Sequence, residues 1–242
     1  MCIRDRCKES VWKYEGMWED FSHTVGFWAD MKNPYVTYHN DYIESEWWAL
    51  KEIWKKGLLY EGHKIVPYCP RCGTPLSSHE VAQGYKDVKE RSAVVRFKVK
   101  GEDAYILAWT TTPWTLPSNV ALCVNPDEDY VKVTSKGYTY YMAAALVDTV
   151  LGEGAEVLEH YQGKDLEFKE YEPLFPYAEK RIGNKKAYYV VCDTYVTLTD
   201  GTGVVHIAPA FGEDDSKVGH RYDLPFVQLV NEKGEMLSLI HI

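Results

Sequence analysis

The sequence has no apolar run near the roughly 20 residues that a helix needs to cross a bilayer; stretches such as Tyr140–Val147 are far shorter. No apolar segment of the signal-peptide kind follows the N-terminus, so a secretory leader is not expected. G-x-G-x-x-G and Walker A runs are both missing, which removes the usual loops for cradling a nucleotide phosphate. Without a G-x-S-x-G elbow, the strained serine of the α/β-hydrolases is excluded as well. Cysteine is sparse: six in 242 residues, at 2, 7, 69, 72, 123 and 192, is no disulfide framework of a small secreted domain, and a reduced, cytoplasmic chain is expected. Basic residues are outnumbered, 27 Lys and Arg against 36 Asp and Glu, for a formal charge of −9. That balance argues against a surface that grips a nucleic-acid backbone throughout, but not against one that handles only an end. Repeats and low-complexity linkers are absent too. What remains, 45% hydrophobic residues and 14% aromatic, fits one large or two small globular domains and not a disordered chain.

Six of the eight tryptophans (12, 18, 28, 47, 48 and 54) fall in the first sixty residues, which points to at least two structural units. Residues 8–60 read as a packed helical layer: Trp12, Tyr14, Trp18, Phe21, Val25 and Trp28 recur at roughly helical spacing. After Asn33-Pro34 a second helix is expected from Asp41, with capping-box spacing to Glu44, through Trp47, Leu50, Ile53 and Trp54 to a stop at Gly57. Residues 61–92 are rich in Pro and Gly around Cys69 and Cys72 and read as a turn-rich knuckle. From Ala93 the period becomes two. Strands are expected at Val95–Val99, Ala104–Trp109, Val120–Val124, Tyr130–Val133, Tyr138–Tyr141, Ala187–Cys192 and Gly203–Ile207, and a helix at Met142–Leu151. The ends, Met1–Arg6 and Leu237–Ile242, match neither neighbouring pattern and resemble translated sequencing adapter; residues 1–6 and 237–242 are expected to be non-native.

Three segments could carry chemistry. In Trp109-Thr-Thr-Thr-Pro-Trp-Thr-Leu-Pro-Ser-Asn119, three consecutive hydroxyls follow a strand, and Pro113 biases Thr112 toward an extended conformation. Such a loop can contact a ribose, an ester or a water; it also fits a Thr-rich strand end with Pro-fixed turns. In Gly201–Asp215, a Gly-flanked strand delivers His206 and a turn leads to an acidic cluster before a helix. His can place a water near neutral pH and a carboxylate can hold an amine; a structural His and an ordinary acidic first turn fit equally. Cys69-Pro-Arg-Cys72 has zinc spacing but supplies two ligands of the four required, with His63 or His79 as improvised partners.

Taken in order, Tyr68–Tyr85, Trp109–Asn119 and Gly201–Asp215 resemble the isoleucyl-tRNA synthetases, class I aminoacyl-tRNA synthetases, over roughly residues 8–236. The resemblance implies an α+β chain: residues 8–65 as the helical remnant of a Rossmann catalytic domain, 66–92 as half of a zinc-ribbon-like knuckle, and 93–236 as a mixed, β-barrel-like editing domain. It implies hydrolysis of mischarged valyl-tRNA(Ile), with Asp215 binding the α-ammonium group, His206 narrowing the pocket and helping to place the water, and Thr111 acting beside them. Thr110 and Thr112 would bind substrate, Asn119 would support the wall, and Cys69 and Cys72 would hold zinc. The partner implied is the tRNA(Ile) 3′ end, with valine and isoleucine esters as small ligands, no membrane, and a monomeric state. The parent enzyme implied attaches isoleucine to tRNA using ATP and Mg²⁺; its H-x-G-H and K-M-S-K-S signatures are missing here, so synthetic activity is not expected of this segment. The competing expectation is a non-catalytic zinc-knuckle or RNA-binding module of synthetase-like shape.

Overall fold

The structure, a computed structural model, describes residues 2–237. Met1 and residues 238–242, which include most of the C-terminal segment expected to be non-native, lie outside the described residues. The chain divides into two compact units after Gly62.

The first unit contains α1 (Ile3–Trp12), α2 (Glu15–Thr24) and α3 (Asn40–Lys55). The single helix expected across Trp12–Trp28 is two, broken at Lys13-Tyr14. The apolar spacing records the break, because the step from Trp12 to Tyr14 is two residues where a continuous helical face needs three or four. Gly26, at φ +72°, lies just beyond α2 in the left-handed region that glycine tolerates best. α1 begins at Ile3, inside the N-terminal segment that matched no neighbouring pattern. α3 starts one residue before Asp41: His39 is the N-cap and makes no side-chain cap bond, so the capping box expected at Asp41 does not form. Asp41 lies in the first turn instead, where the helix dipole favours a carboxylate. No described residue of this unit is buried, so the packed layer expected here is not formed within it.

The second unit opens with a small antiparallel pair, β1 (Tyr68–Cys69) and β2 (Thr74–Pro75). α4 (Ser78–Gln83) follows, capped reciprocally by Ser77 and Glu80. Next come β3 (Ala93–Lys98), β4 (Tyr105–Thr110), β5 (Ala121–Val124), β6 (Asp129–Ser135) and β7 (Tyr138–Ala143). The rest is α5 (Val147–Leu151), β8 (Glu156–Gln162), α6 (Glu179–Ile182), β9 (Tyr189–Cys192), β10 (Val204–Ile207) and α7 (Glu213–Arg221). The helix expected over Met142–Leu151 shrinks to α5, because Met142 and Ala143 extend β7 by pairing with Val131 and Tyr130. Ladder pairing there overrides the helix propensity of the alanines.

β3 to β10 form one mixed sheet with the order β8-β6-β7-β4-β10-β5-β9, and β3 pairs with β4. β4 organises it. One edge takes the whole of β3 antiparallel. The other edge is shared: Tyr105 and Ile106 pair with β7, and Trp109 pairs with β10. The sheet therefore forks, with β7, β6 and β8 forming a flap from the lower half of β4. The upper half enters a curled branch through β10, β5 and β9. The gap between β9 and β3 is spanned by residues 168–172. Phe168 and Tyr171 donate to Val190 and Tyr188, while Lys100 donates to Glu170 and Glu172 to Lys98. Alternation along the strands then sorts the core. Leu122, Val124, Val190, Cys192 and Val204 join Phe97, Tyr130, Tyr141 and Tyr171 in one buried cluster. Ala121, Cys123, Tyr189, Val191 and Ile207 point the other way, into a cluster closed by Val218 of α7 with Leu224, Val227 and Leu229.

Candidate functional site

β4 and β10 run parallel, side by side, so their C-terminal ends emerge together, and each carries one of the polar motifs. Beyond β4 the chain turns at Thr112 (φ −121°, ψ 65°) into a short 3-10 turn, Pro113–Ser118, with proline at its start where a missing N–H costs nothing. The Thr110 hydroxyl accepts the Thr112 amide at 3.0 Å, tying the loop back onto the strand. Beyond β10 the chain crosses Pro209 and enters α7 at Gly212. Asp215 Oδ2 accepts the Ala208 amide at 3.0 Å, which joins the end of the strand to the first turn of the helix.

Between the two loops lies a cleft of about 260 Å³, lined by Trp109 to Thr112, Trp114, Thr115, Val205, His206, Phe211, Gly212 and Asp215. The expected site residues Thr110, Thr111, Thr112, His206 and Asp215 thus share one cavity. Thr110 is buried and spent on the loop, whereas Thr111 and Thr112 are exposed at the cleft. Trp114 and Phe211 meet edge-to-face across the rim, with centroids 5.2 Å apart.

Three carboxylates open α7, but only one faces inward. Glu213 and Asp214 are exposed and paired with Lys217 at 3.2 and 3.0 Å. Asp215 lines the cleft, with the Tyr195 hydroxyl 3.4 Å from its Oδ1. Burial raises its pKa to about 6, against the opposing effect of the Ala208 amide and Tyr195. Gly212 is required at this point: a Cβ there would sit 2.8 Å from the Asp215 carboxyl carbon. His206 is buried, and burial alone lowers its pKa to about 4. At neutral pH the site therefore pairs a mostly ionised acid with an uncharged imidazole, a combination suited to a cation and a water. None of the cleft-lining residues is a cysteine or a serine.

Asn119 stands apart from the cleft lining. It is buried, its amide donates to the Ala121 carbonyl at 2.8 Å, and it accepts the Tyr171 hydroxyl at 2.7 Å. It fastens the far end of the threonine loop to the segment that spans the sheet. Residues not singled out from sequence include Thr115, Phe211 and Gly212, all inside the quoted motifs, and Tyr195, which lies before the second one. The three-residue spacing of Thr115 from Thr112 was the available signal for a turn that points its hydroxyl inward.

Cys69 and Cys72 lie together around the β1–β2 turn, with the Cys72 amide 3.4 Å from the Cys69 sulfur. That amide lowers the Cys69 pKa, while the neighbouring Cys69 raises that of Cys72. Among the described residues no group of three His, Cys, Asp or Glu side chains could hold a metal ion. His63 is stacked on Phe226 at 4.9 Å and His79 lies 2.7 Å from the Gln83 amide nitrogen. Two thiolates are half of what a structural zinc needs, so the residues present do not fit a complete zinc site.

A family model described as tRNA synthetases class I (I, L, M and V) matches residues 2–208. The chain is 62% identical to the isoleucine–tRNA ligase of Clostridium acetobutylicum over 233 residues, 96% of this chain and 22% of the relative. It is 58% identical to that of Clostridium novyi over 235 residues, 97% of this chain and again 22% of the relative. The chain thus spans 22% of the length of these curated relatives. Among solved structures, the leucyl-tRNA synthetase editing domain of P. knowlesi aligns with a TM-score of 0.44 at 14% identity, covering 58% of this chain and 66% of that one. No helix among the described residues is long and apolar enough to cross a membrane.

Proposed function

The chain belongs to the class I tRNA synthetases of the isoleucine, leucine, methionine and valine group, and on that premise we propose that it carries the proofreading site of an isoleucine–tRNA ligase, which hydrolyses valyl-tRNA(Ile). The observation that carries the reading is the cleft shared by the threonine run, His206 and Asp215. A synthetic pocket separates isoleucine from valine, one methylene smaller, by only about 1–3 kcal/mol, a limit for which this enzyme is itself the standard example. A second, hydrolytic site supplies the remainder.

Each residue's part follows from its surroundings. Asp215 is a carboxylate short of solvent, and the α-ammonium of an aminoacyl ester restores the charge balance that burial disturbs. His206 narrows the cavity against isoleucine and, being neutral, does not repel that ammonium. Thr111 and Thr112 offer hydroxyls that donate and accept, suited to the ribose of the terminal adenosine and to the attacking water. Water adds to the ester carbonyl, the ribose oxygen leaves with a proton, and free valine and tRNA result. No covalent intermediate is required. Cys123 and Cys192 are buried with raised pKa values, to about 11 for Cys192, so neither is a ready nucleophile.

The same proposal takes residues 8–65 as the remnant of a Rossmann catalytic domain, 66–92 as half of a zinc ribbon, the tRNA 3′ end as partner, and the cytoplasm as location. ATP and Mg²⁺ belong to the parent's synthetic step, and no residue in this chain is assigned to them. The 62% identity to a ligase favours this reading over a non-catalytic RNA-binding module.

The test is release of valine from valyl-tRNA(Ile) by the chain and by Asp215→Ala. Losing a charged, partly buried anchor should lower kcat/KM by about 100-fold. Equal rates would remove Asp215 from the mechanism, and no release by the folded chain or by the whole ligase would end the proposal.

A further inference from the structure

We propose that Thr115 is a positioning residue that fixes the proton of His206 on Nε2 and leaves Nδ1 as a buried, unprotonated nitrogen. Thr115 Oγ1 lies 2.8 Å from the Thr112 carbonyl oxygen and 2.8 Å from His206 Nε2. A hydroxyl has one proton, and a carbonyl can only accept. The proton therefore goes to Thr112, and the Thr115 oxygen accepts from Nε2–H.

The other ring nitrogen closes the case. His206 Nδ1 is buried and has no hydrogen-bond partner in the protein. In the Nε2–H tautomer it is an unfilled lone pair. In the alternative tautomer it would be a buried N–H without an acceptor, and the Thr112 bond would be lost as well. Orphaned buried donors are the rarer and costlier defect. The Thr112 carbonyl also accepts the Thr115 amide at 3.0 Å, so one backbone oxygen sets both the turn of the loop and, through Thr115, the tautomer of the imidazole. Burial keeps the ring uncharged down to about pH 4, so this acceptor persists across the neutral range.

The consequence for the cleft, which His206 lines, is an imidazole held in one tautomer and one orientation. In the hydrolytic reading, on which this consequence rests, a ring fixed in this way keeps that wall of the amino-acid pocket in place. The tautomer itself does not depend on that reading.

The experiment is nitrogen NMR of the 242-residue chain carrying ¹⁵N-histidine, at neutral pH. The expected His206 pattern is a protonated Nε2 and an unprotonated Nδ1. Thr115→Val replaces the hydroxyl with a methyl group of the same shape, so nothing holds the proton on Nε2 and the Nδ1–H tautomer should appear. Thr115→Ser should keep the parent pattern. Valine release should fall about tenfold in Thr115→Val, the worth of one misdirected hydrogen bond, and return to within about threefold in Thr115→Ser. A parent spectrum with the proton on Nδ1 overturns the proposal, and that reading needs no variant to fold. An unchanged tautomer in folded Thr115→Val also overturns it, even if hydrolysis falls. The expected tautomers without any valine release would leave the role of Thr115 standing and reject the hydrolytic function instead.

Discussion

Between residues 2 and 62 the chain holds six of its eight tryptophans, and no described residue there is buried. Between 97 and 237 it holds two, with Phe97, Tyr130, Tyr141 and Tyr171 all 2% exposed or less. Trp47, by contrast, is 67% exposed and Trp28 93%. The richer region in large apolar side chains is thus the one without a core. Helices satisfy their backbone bonds internally, so α1 to α3 keep helical geometry with their apolar stripes uncovered, while helices this short draw most of their stability from packing. Strands cannot satisfy theirs alone, because each needs a neighbour, and satisfying those neighbours here brings distant segments together. Tyr130 Oη donates to the Gly203 carbonyl at 2.6 Å, 73 residues away. Gly203 at φ +72° leaves no room for a Cβ, which would fall 2.3 Å from that of Ala143.

That contrast can be broken most severely inside the core of the curled sheet. Phe97→Ala should lose about 3–5 kcal/mol of unfolding free energy in a urea titration, as a large aromatic removed from a closed core does; a loss under 1 kcal/mol would mean the core is not the source of cohesion. Next in size is a pH effect. Asp215, raised to about 6 from 3.8, keeps its proton in the folded chain, so its contribution to stability falls as pH rises from 3.8 through 6. His206, lowered to about 4 from 6.5, gives its proton up, so its contribution falls as pH drops from 6.5 through 4. The two largely offset each other. Asp215→Asn should therefore leave stability rising with pH between 4 and 6.5, and His206→Gln should leave it falling, each by on the order of 2 kcal/mol. Parallel curves for parent and both variants would contradict this.

A smaller effect is expected of Tyr171→Phe. It removes only the hydroxyl that donates to Asn119, and should cost about 1 kcal/mol by thermal or urea unfolding. Smallest of all is Trp47→Ala in α3, expected within about 0.5 kcal/mol of the parent despite deleting the largest side chain type. A loss like that of Phe97→Ala would show that the first unit has a core after all.

The same contrast explains what could be read from the sequence. Strands made of apolar or alternating runs, such as Val120–Val124 and Tyr138–Tyr141, were legible within a residue or two because burial is written into their composition. β8, Glu-Val-Leu-Glu-His-Tyr-Gln, was not: it borders only β6 and is mostly exposed, so its side chains carry no period. Residues 168–172 escaped for a related reason, since they span the gap between β9 and β3 through backbone hydrogen bonds that any side chain permits. In the cleft, Thr110 to Thr112, His206 and Asp215 were identifiable by motif, whereas their meeting depends on β4 and β10 lying side by side. Asn119 was picked out by its place in the motif, and its side chain proves to be engaged with Tyr171 and Ala121. The proton on His206 lies beyond sequence altogether, because it is decided by two distances across 91 residues and one turn.

The forked edge of β4 also separates two points of attachment. The flap of β6, β7 and β8 joins that edge only at Tyr105 and Ile106, while the threonine loop departs from the opposite end of the strand. The flap also reaches the other wall of the cleft, where Tyr130 bonds Gly203 and the Ala143 amide bonds Thr202, both leading into β10. A change in the flap is therefore felt on the His206 side of the cleft before it is felt on the threonine side.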